Sequence, residues 1–157
     1  MRLIKAVTAL LLVVCALAAP AFAEVAVVDV ARVIDASAPG KAGQKYVDNL
    51  KASLEAELER FVKKTAKDKD AQAKAAQAKA ANKQAELNAQ FAAEYDRVTA
   101  RVMDELRKVV AQWIKTNKKG ITVVVPAHTA LGYAPAADVS GEILKKLNAV
   151  AIDFTAK

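Results

Sequence analysis

Residues 63–84 read KKTAKDKDAQAKAAQAKAANKQ, a run with no Leu, Ile, Val, Phe, Tyr or Trp and no Gly or Pro. How this run is read decides the fold, because apolar-striped segments flank it on both sides. Alanine has the highest helix propensity of any residue, with lysine and glutamine close behind, so the run is read as helix and not as linker. Upstream, Val47, Leu50, Leu54, Leu58 and Phe61 follow one another at gaps of three and four. Downstream the same spacing joins Leu87, Phe91, Tyr95, Val98, Val102, Leu106, Val109 and Trp113. A seam this narrow is that of a coiled coil. Charged residues such as Glu55, Glu57, Glu59, Arg60, Arg97, Arg101, Arg107 and Lys108 fill the other faces.

Short Val-rich runs stand at either end of this helical region. EVAVVDV, from Glu24 to Val30, and ITVVV, from Ile121 to Val125, read as buried strands, the second stopped by Pro126. Pro39 and Gly40 mark a break before the first long helix, with Ser37 as its cap. Gly120 closes the second long helix in the left-handed conformation, behind the positive charge of Lys118 and Lys119. HTALGYA is expected to form a short third strand, and Asp138 or Ser140 to cap a last helix that buries Ile143, Leu144 and Leu147.

A single rod would hold the two strands far apart. Two antiparallel arms of equal length, each roughly 60 Å long at 1.5 Å per residue, bring them together. The reversal falls within the Ala/Lys run, where no Gly or Pro marks the turn. The expected class is therefore α+β. A small β-rich oligomerisation body, residues 24–39 and 119–157, carries a long antiparallel α-helical hairpin over residues 40–118, with an Ala/Lys-rich tip near 63–84. A body this small without disulfides or metal is marginal on its own core. Val25, Val27, Val28 and Val30 with Ile121, Val123 and Val125 are accordingly expected to be buried between copies of the chain.

The first residues have the pattern of an export signal. Arg2 and Lys5 precede an apolar run through Leu17, which holds the lone cysteine, Cys15, and Ala21-Phe22-Ala23 supplies small residues at a cleavage site. Residues 1–23 are read as a secretory signal peptide, which places the mature chain in the periplasm. Of the net charge of +7, Arg2 and Lys5 contribute two, leaving +5. Residues 63–84 hold seven lysines and two aspartates, also +5, so the remainder balances. A segregated basic patch points to acidic partners. Export removes nucleic acid from that set.

Chemistry is sparse. His128 is the only histidine and the mature chain has no cysteine, so no metal site of the usual kind is expected. APGKAG departs from a phosphate-binding loop, because Asp35 stands where its first Gly belongs and Ala42 where it needs Ser or Thr. No nucleophile motif appears, and neither catalytic residues nor cofactors are expected.

VAVVDVARVIDASAPGKAGQKYVDNLKASLEAELE and GITVVVPAHTALGYAPAADVSGEILKKLN, taken in order around the helical insert, resemble the Skp (OmpH-like) family of periplasmic chaperones for outer-membrane proteins. The likeness lies in a V-D-x-x-R-V turn, an S-x-x-G-K-A-x-Q helix entry and an acidic-apolar-Ser cap before E-x-L-x-x-L-N. Pro126 and Pro135 depart from it locally. The resemblance implies a jellyfish-like homotrimer whose arms enclose a cavity that holds unfolded barrel proteins without ATP. From the residues themselves, the candidate client-binding set is Phe61, Leu87 and Phe91, set among small neighbours, with tip lysines Lys63, Lys64, Lys67, Lys69, Lys74, Lys79 and Lys83. An envelope protein that binds lipid or lipopolysaccharide through a coiled coil is the alternative.

Overall fold

A computed structural model describes residues 24–65 and 73–156. Strand β1 is Glu24–Val28, α1 Val30–Ala36, α2 Ala38–Thr65, α3 Ala73–Thr116, β2 Ile121–Pro126 and α4 Ser140–Leu147, with single 3-10 turns at Ala127–Thr129 and Pro135–Ala137. The expected signal peptide lies outside the described residues.

Asp29 decides where the first strand stops. Its Oδ1 accepts the Arg32 backbone N–H at 3.0 Å and so caps α1, making Val30 the first residue of a helix and not the last of a strand. The next junction is tighter. Buried Ser37 accepts the Gly40 N–H on Oγ at 3.0 Å and donates the same hydroxyl to the Ile34 carbonyl at 2.8 Å. It caps α2 as the sequence predicts, but the helix starts at Ala38, so Pro39 sits inside the first turn, where its missing N–H costs nothing. A Cβ on Gly40 would lie 1.9 Å from the Ile34 oxygen, so only glycine lets α1 and α2 meet at this angle.

β1 and β2 pair in parallel, with Val25 opposite Val123, Ala26 opposite Val124 and Val27 opposite Val125. A parallel pair needs a crossover, and here the two long helices form it. Ala26, Val28 and Ile121 face the helices and join Val33, Leu106, Val109, Trp113, Val139, Ile143 and Leu147 in the main core. Val25 and Val123 point the other way and stay 51% and 41% exposed.

The body is less β-rich than expected, with only these two strands among the described residues. HTALGYA forms no strand. Pro126 and Pro135 fix φ and remove ladder donors, and each is followed by or begins a 3-10 turn. The free edge of β1 is covered instead by a bridge to Asp138, where the Val139 N–H reaches the Val27 carbonyl at 3.0 Å.

Polar contacts join the two ends of the chain across this body. The Asp29 N–H donates to Ser140 Oγ at 2.8 Å, and Asp138 takes the Ser140 N–H at 2.8 Å and Arg32 Nη2 at 2.9 Å. The Ser140 hydrogen bonds first, then Arg32, hold the Asp138 carboxyl below its ordinary pKa. Neither Asp138 nor Ser140 is the cap of α4, whose N-cap is Val139 without a side-chain bond, but Asp138 holds the Ser140 N–H at the helix's first residue. Nearby, Trp113 Nε1 donates to Glu142 at 2.9 Å and Lys119 pairs with the same carboxylate at 2.6 Å. Gly120 has the positive φ expected of it, 74°.

Candidate functional site

The arm is built by α2 and α3 running antiparallel. Tyr46 Oη meets Glu94 at 3.3 Å, while further out Glu57 meets Lys83 at 2.9 Å, so partners fall along α3 as numbers rise along α2. The two helices are thus antiparallel on either side of residues 66–72. The turn itself lies outside the described residues. The two helices are unequal, 28 residues against 44, because α3 continues past the arm and ends in the body core with Leu106, Val109 and Trp113.

The inter-helix seam thins outward. Val47, Val98 and Val102 are buried near the body, and Leu54 and Leu87 are buried further along. Tyr95, read as part of the seam, is 48% exposed with its ring 6.3 Å from Phe91. Beyond Leu87, residues 73–86 of α3 are only Ala, Lys, Gln, Asn and Glu86. On one side of the arm a groove of about 620 Å³ opens where α2 meets Gln84, Leu87, Asn88 and Phe91 of α3. Leu54, Leu58, Val62, Leu87 and Phe91 form its apolar lining, and Lys51, Glu55, Glu59 and Lys63, four residues apart, form a rim. Val62, which sequence reasoning passed over, is 43% exposed at this groove. A second depression of about 450 Å³ holds Phe61 with Lys79, Lys83 and Glu57.

The candidate residues therefore divide. Phe61 and Phe91 are half-buried and open to these depressions. Leu87 is only 3% exposed, so it holds the arms together and offers its surface only at the groove floor. Lys63 pairs with Glu59 at 2.5 Å. Lys83 lies between Glu57 at 2.9 Å and Glu86 at 3.0 Å, and those hydrogen bonds raise its pKa. Lys64 and Lys79 are exposed and pair with no carboxylate among the described residues. Lys67 and Lys69 lie outside the described residues, as does the side chain of Lys74. The basic count of residues 63–84 thus overstates the charge available to a partner, because glutamates just outside that window fold back beside its lysines.

Among the expected interface residues, Val28 and Ile121 are buried in the chain's own core and need no second copy to cover them. Val27 is also buried, 4% exposed, while Val125 is half-buried and Val30 packs against the core. The outward pair is Val25 and Val123.

Sequence reasoning missed one feature of the arm root. Arg97 and Arg101, read as solvated charges, both reach the segment that follows α4. The available signal was Gly43, a glycine inside a helix, which marks a close approach.

The model of the family described as outer membrane protein (OmpH-like) matches residues 24–147, so the segment after α4 falls outside the match. No curated protein matches the chain. A crystal structure described as that of a candidate outer membrane chaperone (OmpH-like) from Caulobacter crescentus CB15 is similar in fold. The TM-score is 0.60 and the identity 22%, over 86% of this chain and 92% of that one.

Proposed function

Because the chain belongs to the outer membrane protein (OmpH-like) family, we propose that it is an ATP-independent holdase that keeps unfolded outer-membrane proteins from aggregating in the periplasm. The observation that carries this reading is the apolar groove near the outer end of the arm, where Leu58, Val62 and Phe91 stay open around a floor that includes Leu87. Transmembrane β-strands alternate apolar and polar residues and, before they close into a barrel, expose both apolar side chains and unpaired edges. A groove with an apolar floor and a charged rim suits such a segment, seating the apolar side chains while polar ones meet the rim. A protein that binds only the unfolded state lowers its free concentration by mass action and needs no energy source.

In this reading residues 1–23 are removed on export, residues 24–39 and 119–157 form the trimerisation body, and residues 40–118 form the arm. Three copies meet through the outer sheet face, where Val25 and Val123 are exposed on a single chain. Their arms then surround a common space, with Phe61, Phe91 and the groove floor supplying weak contacts. Lys64 and Lys79, tip lysines without a carboxylate partner among the described residues, attract acidic clients from a distance.

The test is dilution of a urea-unfolded outer-membrane barrel protein into buffer with rising amounts of the chain from Glu24 onward, followed by light scattering. Suppression that saturates at three protomers per client is the expected result. Scattering unchanged at every ratio would sink the holdase reading. Replacing Leu58 and Phe91 by serine should weaken suppression while the circular dichroism of the helices persists.

A further inference from the structure

The segment after α4 does not trail away from the body. Asn148 Oδ1 accepts the Ala38 N–H at 2.7 Å, at the first residue of α2. The chain then passes along the arm root, where Phe154 is 5% exposed and packs with Val47, Val98 and Val102. Its ring lies 6.1 Å from that of Tyr46. A Cβ on Gly43 would come within 3.3 Å of the Phe154 ring and 3.1 Å of Val98 Cγ1, so the missing side chain at Gly43 gives the ring its space.

Two arginines of α3 grip the backbone on either side of the ring. Arg97 Nη2 donates to the Phe154 carbonyl at 2.6 Å, and Arg101 Nη1 donates to those of Asp153 at 2.9 Å and Ala156 at 2.7 Å. Arg97 is itself positioned by Glu94 at 2.7 Å and by the Tyr46 ring, 5.8 Å from its guanidinium carbon. Asp153 closes the turn locally, accepting the Thr155 N–H and hydroxyl at 2.9 and 2.6 Å.

We propose that Ile152–Ala156 is a strap whose aromatic plug, Phe154, fills a socket between α2 and α3 and locks the arm to the body at its root. The geometry gives it that leverage. α3 enters the body core as one continuous helix, whereas α2 follows α1 through the Ser37 turn, with Ile34 of α1 packed against the arm-root cluster. The strap spans from α4 to both arm helices and so braces that joint. The arginine hydrogen bonds all go to main-chain carbonyls, which any sequence offers, so among the strap's side chains the buried Phe154 ring, with Ile152 packed beside it and the Asp153 carboxylate drawn to Arg101, supplies the selectivity. The socket is thus a site for a turned segment carrying one aromatic side chain, and its ligand is the chain's own segment.

The experiment compares the full chain with a chain ending at Ala151 and with Phe154→Ala, by amide hydrogen exchange. Removing the strap should speed exchange about tenfold or more at residues 44–50 and 96–102, and leave the core of α4 unchanged, because opening is local. Phe154→Ala should give the same pattern in milder form. A peptide of residues 148–157 added to the shortened chain should restore protection, and the same peptide carrying Phe154→Ala should not. Unchanged exchange at the arm root would overturn the proposal, as would equal loosening of arm and body or rescue by the alanine peptide. Exchange is the only readout, so a failure of the strap leaves the holdase reading untouched.

Discussion

Between Val98 and Trp113 the helix α3 buries one seam residue after another, whereas between Ala73 and Glu86 it has no large apolar side chain to bury. Val98, Val102, Leu106, Val109 and Trp113 are 2–7% exposed in the inner half. They are enclosed by both strands, α1 and α4 in the body, or by α2 and the strap at the arm root. Among the described residues the outer half has only α2 beside it, and it is kept helical by alanine propensity and by side-chain pairs such as Lys83 with Glu86 and Gln84 with Asn88. One helix therefore has two sources of order. Where it is anchored, burial holds it. Where it lies open to solvent, it holds itself.

That contrast is most directly broken by truncating side chains in each half. Trp113→Ala removes the largest side chain of the body core and leaves Glu142 without the indole donor, and a loss of about 3–5 kcal/mol is expected. Urea unfolding followed by circular dichroism measures it. Leu106→Ala and Leu87→Ala form the sharper pair, because the chemistry is the same and only the surroundings differ. Within the range of about 2–5 kcal/mol for such changes, Leu106 should fall near the top, because its cavity is walled on all sides. Leu87 should fall near the bottom, because its neighbours already border an open groove. Equal losses would mean that the outer arm is packed as firmly as the body.

Acid should distinguish the halves in another way. Glu142 is held below its ordinary pKa by Lys119 first and by the Trp113 indole second, and Asp138 by Ser140 and then Arg32. Both carboxylates lie in the body. A lowered folded-state pKa means that the unfolded chain binds more protons, so stability rises with pH across that interval. The contribution is complete above the ordinary carboxylate range of about 4 and is lost as pH falls through it towards the lower folded-state values. Trp113 is the only tryptophan and sits against Glu142, so its fluorescence reports the body alone. The thermal midpoint read from it should fall below about pH 4, and Glu142→Gln should flatten that fall. An unchanged slope in the variant would remove Glu142 from the account.

The long helices, their antiparallel course and the apolar seam were legible because periodicity is written into every turn of them. So were Ser37, Gly120 and the burial of Trp113. The boundary at Asp29 was not, because EVAVVDV reads as one strand until the capping geometry of its aspartate is known. The third strand fails on two prolines that are visible in the sequence but there read only as local departures. At the arm, size contrast singled out Phe61 and Phe91, which are half-buried at the depressions, but also Leu87, which is buried, and it passed over the exposed Val62. The charges were not legible. A net charge summed over a window of sequence ignores carboxylates just outside it, and the fold sets Glu57 of α2 against Lys83 of α3. The strap was hidden for a similar reason, since nothing in IDFTA announces that two arginines some fifty residues away will hold its carbonyls.

The role of Lys83 is where the two uses of charge in the outer arm can be separated. If Lys83 serves as a clasp, Lys83→Ala and Glu57→Ala should each loosen the arm, the double variant should be little worse than either, and high salt should erase the difference. At about 1 M salt the screening length is about 3 Å, shorter than the reach needed to couple exposed charges. The expected loss is smaller than that of any core truncation or of acid, because Glu57 is 48% exposed and water competes for the pair from its side. Glu57→Ala is the more informative variant, since it loosens the clasp and makes the tip more positive at once. If capture of an acidic client depends chiefly on attraction to the tip, Glu57→Ala should strengthen it at low salt. If capture depends on an ordered groove, the same variant should weaken it. Amide exchange near Leu58 and Lys79, measured beside client capture, tells which of the two governs the outer arm.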